Sequence, residues 1–455
     1  MQDVSPHQSE QAPLQPERQP PLQPEQQPER QPEQQPEQQP ELQIERIVAG
    51  GLGLGHEESG RIVLVEGALP GDRVLVQITE SSKRMARGQV RAVLEPAAGR
   101  REAPCREVAA GCGGCDLQHA EEALQLRLKA EIVTDALRRI SGLEDVPISF
   151  AGELPATQYR TTLRCGVEGS TATRAVSTES EQLGRVGFRK RQSHQIHQIS
   201  SCMVAHPLIN ELMQQGRFVG ASEVTFRVGA RTAQRMAIVD TQVATGERFG
   251  LPEDVRVVTQ QALAQGEQAW IYEQVAGKQF RISARSFFQA RPDGAEALIQ
   301  AVARAVTPFD AASDRLVDLY GGVGLFTAGL NAQRSVLVER SESSVADARV
   351  NLFDLDTQIV ASSVETWRPS AADVVVADPA RAGLNTAGVA AVVATGAERV
   401  ALVSCDPAAL GRDLGLLVAA GFEVLRIEIV DMFPQTHHIE TVTTLRRMSA
   451  SRISS

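Results

Sequence analysis

Leu316-Val317-Asp318-Leu319-Tyr320-Gly321-Gly322-Val323-Gly324 reads as an apolar strand running into a glycine-rich turn, and Leu325 to Leu330 continue it as a helix. A strand, a glycine turn and a helix in that order let the backbone approach a nucleotide-like ligand closely. A second strand, Ser335-Val336-Leu337-Val338, ends at Glu339, 21 residues after Asp318, where a carboxylate can bind ribose hydroxyls. The turn lacks the G-x-G-x-x-G spacing that seats a pyrophosphate, so S-adenosylmethionine fits better than a dinucleotide.

Outward from this turn, the pattern from Ala295 onward alternates helix and strand, which specifies an α/β fold with a Rossmann-like C-terminal domain. A third strand, Asp373 to Ala377, delivers Asp378-Pro379-Ala380-Arg381-Ala382-Gly383, and a fourth, Val400 to Val403, delivers Ser404-Cys405-Asp406-Pro407. Ligands of open α/β sheets bind at the carboxyl ends of the strands, so these ends should converge on one crevice. Cysteine is more often a buried structural residue. A strand-end cysteine followed by Asp-Pro, which turns the chain, instead faces a cleft, and it becomes reactive if a proton acceptor is near. Phe433-Pro434-Gln435-Thr436-His437-His438-Ile439-Glu440 lies about thirty residues later and offers candidate bases.

The chain has 455 residues, enough for two to four domains. No apolar run approaches the roughly 20 residues of a membrane span, and the first residues are polar, so a soluble cytoplasmic protein without a membrane partner is expected. The net charge of -10 argues at first against a nucleic-acid partner, but residues 1–43 hold eight acids against two bases, leaving -4 for the rest. Basic clusters remain at Lys83 to Arg87, at Arg185 to Arg191 and at Arg446-Arg447; a solvated charged face is the plainer reading of any one of them.

Residues 1–43 repeat Gln-Pro-Glu units with almost no apolar content and are expected to be disordered. From Ile44, three alternating segments, Arg61–Val65, Asp72–Ile78 and Gly88–Leu94, separated by Gly- or Pro-rich turns, suit a small five-stranded barrel of the kind that binds single-stranded nucleic acid. Cys105, Cys112 and Cys115 come next with C-x6-C-x2-C spacing. Six cysteines in a cytosolic chain are poor material for disulfides, and a tight C-x2-C points to zinc, an iron-sulfur cluster or redox chemistry. Cys202, Cys165, His119 and His206 compete as fourth ligand, and spacing alone leaves zinc and iron-sulfur level. Leu124, Leu128, Ile132, Leu137 and Ile140 have helical spacing over Glu121 to Ser141, and mixed strands and loops continue to about residue 280. Within them, Gly187 to His194 is a basic stretch with one aromatic, either a phosphate-binding segment or a charged edge strand.

Taken together, Cys105, Cys112, Cys115 and Cys202, Phe288-Gln289, Asp318 to Phe326, Asp378 to Gly383, Ser404 to Pro407 and Phe433 to Glu440 resemble the RNA uracil-5 methyltransferase family, with its motifs in family order over about residues 44 to 447. With the disordered tail (1–43) set aside, the resemblance implies an OB-like TRAM barrel for RNA (44–98), a central mixed α/β domain carrying a [4Fe-4S] cluster on Cys105, Cys112, Cys115 and Cys202 (99–285), and a class I S-adenosylmethionine-dependent methyltransferase domain (286–455). It implies Cys405 as the nucleophile that adds to uracil C6, Glu440 as the base that removes the C5 proton, and Gln289, Tyr320, Glu339 and Asp378 as cofactor-site positions. Asp378 is also placed to meet the target base. That base must leave its stack, at least cost in a loop or bulge. The expected substrate is a uridine in structured RNA, ribosomal RNA first and transfer RNA second, and no obligate protein partner is implied. Departures from the family pattern are Gly321 for cysteine, Leu325 for asparagine, Ala380 for proline and Asp406 for asparagine. A non-catalytic RNA-binding protein is disfavoured by the joint presence of Cys405 and Glu440, and an iron-sulfur redox enzyme by the lack of a second electron-carrier site.

Overall fold

The computed structural model describes residues 39–168, 184–191, 193–241 and 247–449; residues 1–38 of the expected tail lie outside the described residues. Five strands, β1 (Glu41–Val48), β2 (Leu52–His56), β3 (Ile62–Glu66), β4 (Arg73–Ser81) and β5 (Met85–Glu95), close a barrel in the order β1-β2-β3-β5-β4. Period-two alternation puts Leu42, Ile44, Val63, Val65, Val74 and Val76 inside it. The first strand begins inside the stretch expected to be tail, because Leu42 pairs with Val74 and is buried in the barrel core. Asp72 ties the barrel to the segment after β5: its carboxylate accepts from Leu69 N at 2.6 Å, Ala97 N at 2.8 Å and the Arg100 guanidinium.

A short helix α1 (Arg106–Ala109) leads to α2 (Glu122–Ala136), which ends in a π turn over Leu137–Ser141 where Ser141 Oγ donates to Leu137 O at 2.7 Å. Strand β6 (Ile148–Phe150) comes next. A six-stranded sheet then runs β12-β11-β10-β7-β8-β9, from β7 (Thr162–Val167), β8 (Val186–Arg189), β9 (Ile196–Gln198), β10 (Glu223–Val228), β11 (Arg235–Val239) and β12 (Val255–Thr259). Helix α3 (Pro207–Gln215) packs on it where the sequence suggested only strands and loops; Pro207 opens the helix and His206 Nδ1 accepts from Leu208 N. Helix α4 (Gln260–Ala264) and the hairpin β13 (Trp270–Val275) and β14 (Lys278–Ser283) complete the central region.

The C-terminal region holds α5 (Pro292–Val306), β15 (Arg315–Leu319), α6 (Leu325–Gly329), β16 (Arg334–Glu339), α7 (Glu342–Asn351), β17 (Asp356–Ala361), β18 (Val374–Ala377), α8 (Asn385–Ala394), β19 (Arg399–Ser404), α9 (Pro407–Ala419), β20 (Phe422–Val430) and β21 (Glu440–Arg447). The sheet order is β17-β16-β15-β18-β19-β21-β20-β6. Its central strands are near-continuous apolar runs buried on both faces, as parallel strands between helix layers must be. Two features differ from strict alternation. After α9 the chain makes two consecutive strands, and β21 inserts antiparallel between β19 and β20, because the loop 431–439 returns the chain directly beside β19. The edge strand β6 pairs with β20 from far outside the expected 286–455 segment, and α2 shares its buried face with the same sheet.

Candidate active site

Strand order reverses between β15 and β18, and the crevice outside their carboxyl ends is where an open α/β sheet takes its ligand. Four strand ends border it. The β15 end turns through Tyr320, Gly322 and Gly324, whose φ values are +59°, +55° and +92°. Only glycine adopts that region at little cost, so Tyr320 is held there by its surroundings. A Cβ on Gly321 would lie 2.6 Å from Leu337 Cγ, so a cysteine at that position has no room in this chain. Leu325 is buried in the core below the turn.

Glu339, at the end of β16, accepts from Gly322 N at 3.1 Å and Ser341 N at 2.6 Å and so ties the glycine turn to the next loop. Tyr320 Oη donates to Glu365 at 3.5 Å, and burial pushes its phenol up to about 12. Gln289 is buried just before α5. Asp318 is fully buried: its Oδ2 accepts from Thr327 Oγ1 at 2.8 Å and Thr327 N at 3.2 Å, while its Oδ1 has no partner. Burial pushes this carboxyl up to about 6. Nothing in the strand pattern marked Asp318 as more than a strand residue.

Cys405 comes directly after β19, and Ser404 pairs with Thr441. One further step along that antiparallel register sets Cys405 opposite Glu440, the first residue of β21. The Cys405 side chain is half-buried; burial, then Glu440, then Asp378 push its thiol up to about 12, against a smaller pull from Arg381. Glu440 is buried, and its carboxyl is raised by burial and then by Asp378; Asp378 is raised by burial and then by Asp318. These effects limit one another. A protonated Glu440 exerts no repulsion on Cys405, so burial is the main cause of the high thiol value. Asp406 caps α9, accepting from Ala409 N at 2.8 Å, a role an asparagine oxygen fills equally well. Arg412 donates to Ala382 O and ties the loop that carries Asp378 and Ala380 to that helix.

The cysteine segment lies against the loop that leads to Glu440. Cys105, Cys112, Cys115 and Cys202 line one cavity of about 220 Å3, together with Arg160 and Phe188; Cys165, His119 and His206 do not line it. Cys165 is buried in the six-stranded-sheet core. Burial raises Cys112 and Cys202 and pushes Cys115 up to about 12, while the backbone amide of Gly114 at Cys112 and those of Val204 and Ala205 at Cys202 act in the opposite direction. As the side chains stand, no three His, Cys, Asp or Glu among the described residues form a metal-holding group. The loop before Glu440 runs alongside: His437 N donates to Asp116 Oδ1 at 2.8 Å, Lys129 Nζ donates to Asp431 at 2.6 Å, and Tyr159 Oη donates to Pro434 O at 3.0 Å. Burial and the neighbouring His437 hold His438 down at about 4, so it is neutral. Sequence spacing could not have paired α2 with a loop more than 300 positions away.

The strand order and the glycine turn at its switch point define a Rossmann-like methyltransferase fold, preceded by a closed barrel. The TRAM domain model matches residues 38–90, and the tRNA (Uracil-5-)-methyltransferase model matches residues 366–448. An uncharacterized RNA methyltransferase of Streptomyces avermitilis is 33% identical over 88% of this chain and 96% of its own length. One of Gloeobacter violaceus is 30% identical over 89% and 95%. The Pyrococcus abyssi tRNA (uracil-54, C5)-methyltransferase, solved with S-adenosyl-L-homocysteine, superposes with a TM-score of 0.66 at 20% identity, covering 89% of this chain and all of that one. The chain belongs to the S-adenosylmethionine-dependent RNA (uracil-5-)-methyltransferase family.

Proposed function

We propose that this protein methylates C5 of a uridine in structured RNA in the cytoplasm, through a covalent adduct between Cys405 and uracil C6. The observation that carries this reading is the placement of Cys405 opposite Glu440 at the mouth of the crevice, with Asp378 on the adjoining strand end. S-adenosylmethionine would supply a methyl sulfonium. Gln289, Tyr320, Glu339 and Asp378 would hold it, and the unpartnered Oδ1 of Asp318 leaves a buried acceptor at the glycine turn, which suits a donor-bearing, cationic ligand.

Uracil C5 is a weak nucleophile until C6 is attacked, so the thiol must give up its proton as the S–C6 bond forms. Asp378, ionised, accepts that proton. The C5=C6 electron pair is thereby released to C5, which takes the methyl group. Protonating Asp378 removes the lesser of the two effects that raise Glu440, burial being the larger, so that Glu440 gives its own proton to solvent and can then take the C5 proton. The C–S bond then breaks, C5=C6 re-forms and Cys405 recovers its proton. Covalent catalysis of this kind divides one hard step into easier ones.

The four-cysteine cavity fits a soft metal centre: four thiols line it, two of them buried, with backbone amides directed at two of the sulfurs. A [4Fe-4S] cluster on Cys105, Cys112, Cys115 and Cys202 would supply a fixed cross-link between segments distant in sequence. The barrel and its basic β4–β5 turn would hold RNA. For the target we place ribosomal RNA first and transfer RNA second. Glu440→Gln should trap the adduct as a band shifted on a denaturing gel; a complete lack of shifted species would count against the mechanism. Mapping 5-methyluridines lost from all stable RNAs when the gene is deleted identifies the target, and no loss anywhere would favour a binding-only protein.

A further inference from the structure

The loop 431–439 delivers Glu440, and one of its anchors is a residue no motif contains. Gln125, on α2, is 1% exposed. Its Oε1 accepts from Gln435 N at 2.8 Å, and its Nε2 donates to Gln435 Oε1 at 3.0 Å, Ala120 O at 3.0 Å and Leu117 O at 3.1 Å. Leu117 N donates in turn to Gln435 O at 3.0 Å. Gln435 therefore has backbone donor, backbone acceptor and side chain all bound to one region of the chain, with Gln125 itself 310 positions away in sequence. It needs them: its φ is +71°, a left-handed conformation that costs a residue with a Cβ about 1–2 kcal/mol. A backbone held in such a well persists only where its surroundings over-determine it.

Glu440 is the first residue of β21, where it pairs with Val430 of β20, so the sheet ladder holds its backbone and the residues after it but nothing before it. On the other side stand residues 436–439 and then Gln435. Thr436 Oγ1 bonds back to Phe433 O at 2.8 Å and His437 N bonds to Asp116, which removes slack from that connection. We propose that Gln125 is a positioning residue for the deprotonation step: through Gln435 it sets the approach of Glu440 to the C5 proton. The proposal rests on Glu440 being that base. Gln125 touches neither substrate nor reacting atoms, and its effect falls on the step after methyl transfer, not on adduct formation at Cys405.

The test uses the full chain and total RNA from a host lacking the gene, labelled with [5-3H]uridine, so that tritium release reports C5 deprotonation and methyl incorporation reports the step before it. Gln125→Met keeps helix length and apolar packing but removes every hydrogen bond. It should slow tritium release by roughly 10- to 100-fold, the scale of a misplacement of about 1 Å. Methyl incorporation in a single turnover should run ahead of tritium release, and the covalent adduct should accumulate as it does in Glu440→Gln. Gln435→Gly tolerates φ +71° without strain yet removes the side-chain acceptor; it should show the same imbalance and decides the matter if Gln125→Met does not fold. Unchanged release, or methyl incorporation and release slowed equally without adduct, overturns the proposal. An adduct in Glu440→Gln but in neither glutamine variant defeats only this inference, whereas no adduct in Glu440→Gln defeats the base assignment itself.

Discussion

Asp318→Asn should make the ligand-free protein more stable above neutral pH while changing little in acid. The carboxyl is fully buried with one oxygen unpartnered, and burial raises it from 3.8 to about 6 against the two Thr327 hydrogen bonds. Because the folded value lies above the unfolded one, its favourable contribution is complete below about pH 4 and is lost as pH rises through about 6. A shift of about two units at roughly 1.4 kcal/mol per unit gives about 3 kcal/mol by pH 8. Asparagine, neutral at every pH, mimics the protonated acid and removes that loss. It also lifts the charge that raises Asp378, which acts in the same direction. Urea denaturation at pH 5, 6, 7 and 8 gives the midpoints: about half of the loss has already occurred by pH 5, so the variant should gain over the parent by about 1.4 kcal/mol between the ends of the series. Parallel pH profiles for the two proteins would refute the reasoning. The gain should be offset by function, since S-adenosylmethionine added at fixed concentration should raise the melting temperature of the parent more than that of the variant.

Cys405→Ala should lower turnover by on the order of 10^4-fold or more while leaving the denaturation midpoint close to the parent's, because the side chain is half-buried at a cleft and anchors no core; sustained methylation would sink the nucleophile assignment. Lys129→Ala should destabilise by roughly 3–5 kcal/mol, because it removes one partner of a buried ion pair and leaves Asp431 without its cation; a loss under about 1 kcal/mol by chemical denaturation would show the pair to be solvated. Anaerobic purification should yield brown protein with iron and sulfide, and Cys202→Ser should lose iron in proportion to colour. Stoichiometric zinc in the parent would overturn the cluster reading.

The chemistry at the sheet edge was legible because it depends on local pattern. The runs at Leu316, Ser335, Asp373 and Val400 each form the expected strand, give or take a residue, and each delivers its polar residue to the crevice. What spacing did not show are the long-range pairings. Ile148-Ser149-Phe150 is too short for its period to register, and its partner lies some 280 positions ahead. Gln125 and Lys129 look like solvent-facing breaks in an apolar helix pattern, yet both are buried because the loop 431–439 supplies acceptors and donors that no local rule anticipates. Asp116 had one weak signal, its position directly after Cys115, and its partner His437 lay in a motif already noted.

The edge strand β6 has a consequence for how this enzyme can be divided. A fragment beginning at residue 286 contains the proposed nucleophile, base and cofactor positions from Gln289 to Glu440, and on motif content it looks self-sufficient. It would nonetheless lack the strand that covers β20 and the helix whose Leu128, Ile132 and Val133 cover the sheet. Ile427 and Ile429 would then sit on an unprotected edge, the kind that recruits other chains. Such a fragment should aggregate when expressed alone and become soluble when residues 99–150 are supplied in trans, so the catalytic unit of inheritance is longer than its catalytic motifs.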